Sequence, residues 1–194
     1  NAFTDLQYWQ GNYWVGYRKG AAHASADGEA VIAVSADRQR FRETARLHVR
    51  GDCRDPKLLP VDENHMAAYF PSWIDGFQRR RLQHYITFSS NGYEWDAPRP
   101  ILDSEKWLWR IRPHQGRYYG LIQNLTAGWE EGNLPHELDL AVSDDLLEWQ
   151  TLARIGDGRG LNESDIHFFP DGEAWLVSRT VKTDEETGSY FASA

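Results

Sequence analysis

Four acid–base groups and four arginines are spaced as if to serve one polar site. Asp5, Asp55 and Glu163 are carboxylates that can take or give a proton, and His23 can do the same near neutral pH. Arg18, Arg54, Arg110 and Arg179 supply planar guanidinium groups suited to bidentate recognition of oxyanions. Trp109, next to Arg110, adds a ring of the kind that stacks on the apolar face of a sugar. The segment "LNESDIHFFPDGEAWLVSR" places Glu163 and Arg179 at opposite ends of an apolar-rich run broken by "PDG". A hairpin turning at that break returns Arg179 to the level of Glu163.

The elements that must position these groups repeat. "SADRQRF", "SSNGYEW" and "SDDLLEW" begin at Ser35, Ser89 and Ser143, and both gaps are 54 residues. Each copy reads Ser-x-Asp/Asn-x-x-x-aromatic, which suits a turn whose side-chain oxygens accept from backbone N–H groups. The closing aromatic, Phe41, Trp95 or Trp149, is expected to plug the sheet below. Strand-like runs fill each interval, beginning with "DLQYWQGNYWVGYR" around a Gly11–Asn12 turn, and nothing has a long helical period.

Four strands per repeat predict an all-β chain, a β-propeller of four-stranded blades. The approximate blades are 1–50, 51–104, 105–158 and 159–194, with Ser193 where a further Ser-x-Asp turn begins. About three and three-quarter blades leave open sheet edges. The chain therefore reads as part of a longer propeller, six blades of which need roughly 320 residues. In such blades the starts of first strands and the ends of second strands share one end. That places Asp5, Asp55, Arg110 and Glu163 on the same rim as Arg18, His23 and Arg179.

Composition excludes several classes. The net charge is −8 and the one basic run is Arg79–Arg81, so no nucleic-acid partner is expected. Cys53 is the single cysteine, which rules out an intrachain disulfide and a cysteine-based zinc site. That cysteine usage suits cytoplasm and periplasm alike. No run of 18 apolar residues is present to form a spanning helix. No metal or other cofactor is expected, and nine Trp, nine Tyr and eight Phe suit a glycan-facing surface.

The Ser-x-Asp turns, with "NESDIHFFPDGEAWLVSR" and "RDPKLL", resemble the sialidase (neuraminidase) superfamily of six-bladed propellers, over the whole chain. "NAFTDL", "YRKGAAHAS" and "WLWR" look closest to its bacterial sialidase-like branch. The resemblance implies a hydrolase that removes a terminal, acidic sugar from a sialoglycoconjugate. Glu163 would polarise a tyrosine nucleophile, the exception among glycosidases to paired carboxylates. Arg179, and Arg18 beside it, would grip the substrate carboxylate.

The sequence departs from that pattern at two places. Thr4 and Asp5 stand where a first clamp arginine belongs, and His23 stands where an aspartate acid belongs. Arg54 or Arg110 would then replace the missing cation, and Asp5 or Asp55 the acid. Two alternatives follow. One is a glycan-binding propeller without catalysis. The other is a five-bladed furanosidase or arabinanase-like glycosidase, whose Arg-Asp-Pro motif "CRDP" matches.

Overall fold

The computed structural model describes residues 2–74, 81–125, 137–155, 160–181 and 187–193. Among these residues sixteen strands form four antiparallel sheets, and no helix occurs. Each sheet is a propeller blade. The chain divides into two compact units, residues 1–104 and 105–194, each holding two consecutive blades.

In the first unit, β1 (Ala2–Trp9), β2 (Asn12–Lys19), β3 (Glu29–Ser35) and β4 (Arg42–Leu47) pair in chain order. The β1–β2 turn lies at Gln10–Gly11, one residue earlier than the sequence reading placed it. Both residues have positive φ, 48° and 73°. A two-residue hairpin turn requires such values, and glycine adopts them without strain. Asn12 instead lends its side-chain amide to the Gln10 carbonyl (2.9 Å). Along β2 burial alternates, so Trp14, Gly16 and Arg18 share the inward face.

The second blade has a broken first strand. β5 (Asp52–Cys53) and β6 (Lys57–Pro60) both pair with β7 (Met66–Trp73), which is buried at every position. β8 (Leu82–Ser89) and β9 (Arg99–Ile101) complete the sheet. Trp9, Trp14, Ile32, Leu58, Met66 and Phe70 build a core across both blades. Gly92, with φ of 74°, lets the backbone sit directly on the Trp14 ring, and an added Cβ would lie 2.1 Å from it.

In the second unit, β10 (Lys106–His114), β11 (Arg117–Asn124), β12 (Glu137–Ser143) and β13 (Gln150–Ile155) form one blade. β14 (Leu161–Phe168), β15 (Ala174–Val181) and β16 (Thr187–Ser193) form the other. The His114 ring stacks on Phe168 at 4.4 Å, and Arg112 Nε donates to Asp165 (2.8 Å), tying the two sheets together.

The Ser-x-Asp turns form as expected, three times over. Asp37 Oδ1 accepts from the amides of Gln39 and Arg40 at 2.9 and 3.0 Å. Asn91 holds Tyr93 and Glu94, and Asp145 holds Leu147 and Glu148, at 2.8–2.9 Å. Trp95 and Trp149 are half-buried, each giving its indole N–H to the carbonyl three residues before it (3.2 Å). Phe41 departs from the pattern: it is 44% exposed and plugs nothing. Lacking an N–H, phenylalanine cannot make the tryptophan's bond back into the turn. Ser193 pairs with Trp175 just as Ser35 pairs with Tyr13 and Ser143 with Tyr118.

Candidate functional site

One irregularity recurs in the first strand of every blade. Phe3–Thr4 oppose the single residue Tyr17, because the register jumps between Ala2 and Asp5. Trp109–Arg110 oppose Leu121, and Asn162–Glu163 oppose Arg179, in the same way. In the second blade Arg54, Asp55 and Pro56 oppose Phe70 and Pro71, again one residue extra. A β-bulge re-aims the side chain it carries, and bulges cluster beside active sites. Thr4, Asp55, Arg110 and Glu163 are thus the residues at corresponding bulges. Asp5 lies just past its bulge. It is buried, and its Oδ2 accepts from the Leu58 amide (2.8 Å), linking β1 to β6.

Asp55 has φ of 41°, in the left-handed region where a non-glycine residue costs of order 1 kcal/mol or more. Its neighbours hold it there. The Arg54 amide donates to the Pro71 carbonyl (2.9 Å), and Gly16 leaves room for the Pro56 carbonyl, which would lie 3.1 Å from an added Cβ.

Around this bulge the first unit gathers a charged network. Arg18 is 3% exposed because it shares the inward face of β2. Its Nε donates to Asp52 Oδ1 (2.8 Å), and its other nitrogens reach the Ala22 carbonyl (2.8 Å) and Ser25 Oγ (3.0 Å). Asp52, 2% exposed, also accepts from the Ser25 amide (3.3 Å) and faces Arg54 at 3.6 Å. Arg54 Nε lies 3.9 Å from Asp55. Burial lowers the Arg54 pKa, and the Asp52 and Asp55 carboxylates oppose that shift.

Arg18 and Asp52 together latch the β2–β3 loop, which carries exposed His23 to within 3.4 Å of Arg54. Arg54 can only donate, so this contact requires His23 Nε2 without its proton. Asp52 escaped the sequence reading. Its strand, β5, is only two residues long and ends before Arg54, so no alternation marks it.

The second unit is simpler. Glu163 and Arg179, both about half exposed, form a direct ion pair at 3.0 Å. Arg110 is half-buried at its bulge. Trp109 is largely buried, stacked on Trp107 at 4.8 Å, with its N–H bonded to Gln123 Oε1 (2.9 Å). Of the basic run, Arg79 and Arg80 lie outside the described residues. Among the described residues no group of three His, Cys, Asp or Glu is placed to hold a metal ion, and no helix is long and apolar enough to cross a membrane.

No family model matches the sequence, and no curated protein matches it significantly. Solved structures do. A protein of unknown function from Dyadobacter fermentans is 18% identical over the whole chain, with a TM-score of 0.78. The α-L-arabinanase of Penicillium chrysogenum, in complex with arabinobiose, is 12% identical over 99% of the chain, with a TM-score of 0.74. A fructofuranosidase from Schwanniomyces occidentalis, bound to fructose, is 12% identical over 97% of it, with a TM-score of 0.70.

The chain shares the β-propeller fold of these structures. The chain spans 65%, 62% and 42% of the lengths of those three structures. The two enzymes among them are furanosidase-type glycosidases and not sialidases. The sialidase branch expected from the sequence motifs gains no support from these structures.

Proposed function

We propose that the chain belongs to a glycoside hydrolase of the arabinanase or furanosidase kind, acting on a neutral glycan. The observation that carries this reading is the commitment of the arginines. A sialidase needs guanidinium groups free to grip a substrate carboxylate. Arg18 is buried against Asp52, Arg54 faces Asp52 and Asp55, and Arg179 is paired with Glu163. Each of these cations already has a carboxylate of the protein as its counter-ion. An anionic sugar gains little from them, whereas a neutral sugar asks for none.

The Arg54-Asp55-Pro56 bulge supports the same kind of enzyme. In this reading Glu163, in the second unit, is a carboxylate of the kind most glycosidases use, and Asp55 is a separate candidate of that kind in the first. Glu163 is the proton-transferring group, because it is half exposed and its partner guanidinium is half exposed too. Asp55, held at its bulge, is a fixed carboxylate able to stabilise developing positive charge beside the first unit's own network. His23, exposed beside Arg54, can contact a substrate, whereas buried Trp109 is packing. Arg18 and Asp5 serve as scaffold.

The test is hydrolysis of 4-nitrophenyl α-L-arabinofuranoside, arabinan and a 4-methylumbelliferyl α-sialoside by the protein and its Glu163→Gln variant. A neutral furanoside should turn over, at least ~100-fold slower in the variant, as expected for loss of a general acid or base. Cleavage of the sialoside would restore the sialidase reading. A second reading, a glycan-binding propeller without catalysis, is favoured by Thr4 and Arg110 at two of the four bulges. It predicts no hydrolysis by either protein, with arabinan binding unchanged by Glu163→Gln.

A further inference from the structure

We infer a second saccharide-binding groove in the first unit, at the opposite end of the second blade from Asp55. A cavity of about 340 Å³ lies between the β6–β7 turn and the β8–β9 turn, lined among others by His65, Phe88, Ser90, Glu94, Trp95 and Asp96. That volume is at the lower end of the roughly 300–1,000 Å³ range of small-ligand sites. The Arg54 amide is bonded to Pro71, which pairs with His84. Ser89, at the groove, is five residues further along β8, so about 17 Å separates the two places.

The groove is preorganised. Glu94, Trp95 and Asp96 are pinned one after another through atoms that leave the functional ends of their side chains uncommitted. The Glu94 amide bonds to Asn91 (2.9 Å), and its carbonyl accepts from the Ser89 hydroxyl (2.5 Å). Trp95 is fixed by its N–H to Gly92 (3.2 Å) and by packing on the core, so only the part of the ring that lines the groove meets a ligand. The Asp96 amide bonds to Phe88 (2.9 Å), and its carbonyl accepts from the Thr87 hydroxyl (2.6 Å). Neither the Glu94 nor the Asp96 carboxylate makes an ion pair among the described residues. A ligand therefore meets these groups already in place, which lowers the ordering cost of binding.

The mixture of groups selects the ligand class. Two carboxylates accept hydrogen bonds, Ser90 can donate one, and a half-buried indole offers an apolar edge, while His65 is held by Asp62 through Nδ1 (3.0 Å). A bare cation would use only the carboxylates, and an anion would be repelled by them. A neutral saccharide of one or two rings uses all three kinds of contact. This groove is independent of the hydrolytic reading and serves to hold a glycan away from the reacting bond.

Saturation-transfer NMR and calorimetry with arabinobiose and cellobiose test it. Three proteins are compared: the unaltered chain, Glu94→Gln/Asp96→Asn, and Glu148→Gln, the exposed equivalent of Glu94 in the third Ser-x-Asp turn. The double variant removes charge without bulk and leaves the pinning bonds in place. Expected is saccharide binding at least fivefold weaker in the double variant and unchanged in Glu148→Gln. Binding unaffected by the double variant, or absent from the unaltered protein, would overturn the proposal. So would displacement of the sugar by millimolar methylammonium, which would mark the groove as a cation site.

Discussion

Arg18 and Arg179 both lie near the inner-rim end of a second strand, yet they do different things. Arg18 is buried and donates to a side chain, a carbonyl and a hydroxyl at once. Arg179 is half exposed and touches one carboxylate. The difference comes from one step of strand alternation. Arg18 pairs with Ala2, just before its bulge, whereas Arg179 lies directly across from a bulge. In that blade Arg179, opposite the bulge, is exposed, and its neighbour Ser178 is buried. The buried charges of the first unit are framework, whereas the pair in the second unit is open to solvent.

The largest effect that tests this contrast is on the framework. Asp52→Asn leaves Arg18 buried without its counter-charge, and should destabilise the protein by about 3–5 kcal/mol in urea unfolding. A loss below ~1 kcal/mol would mean that the β2–β3 loop is held by something other than this pair. Next is Gly92→Ala, which forces a Cβ against Trp14 at a positive φ. Overpacking of this kind costs about 1–3 kcal/mol, read from the same unfolding curves. Glu163→Gln should change stability by less than ~0.5 kcal/mol, because an exposed ion pair contributes little. Its effect belongs in turnover, so a large stability loss would make Glu163 framework too.

The smallest effect separates the three Ser-x-Asp turns. Hydrogen bonds from turn amides hold the Asp37 and Asp145 carboxyls below their ordinary pKa. Their stabilisation is therefore present above the ordinary value and fades as pH falls through it toward the depressed one. Asn91 does not titrate. NMR below pH 4 should show the amides of Gln39, Arg40, Leu147 and Glu148 shifting, while those of Tyr93 and Glu94 stay. Equal shifts at all three turns would mean that the side-chain oxygens are not what holds them.

Much of this architecture is legible in the sequence. The 54-residue spacing and the turn chemistry specify blades, because each Ser-x-Asp loop closes on itself through local bonds. The ends of strands were readable too, which placed Glu163 and Arg179 together. Facing was harder. Trp14, Gly16 and Arg18 alternate in "WVGYR", a pattern that buries Arg18, but reading strand ends alone put it on the rim as a clamp. Asp52 was hidden because Pro56 breaks its strand to two residues, too short for any periodicity. The bulges left no local signature, since the extra residue differs in every blade. Their register emerges only when both strands of each hairpin are paired.

The recurring bulge also has an evolutionary consequence. Every blade, once duplicated, inherits the same ready-made perch, whether a threonine, an aspartate, an arginine or a glutamate stands on it. Gain, loss or relocation of an acid in this scaffold is then a matter of a single codon, with no backbone to rebuild. Thr4 and Arg110 are the vacant perches, and a designer wishing to move the chemistry from one blade to the next would begin with them.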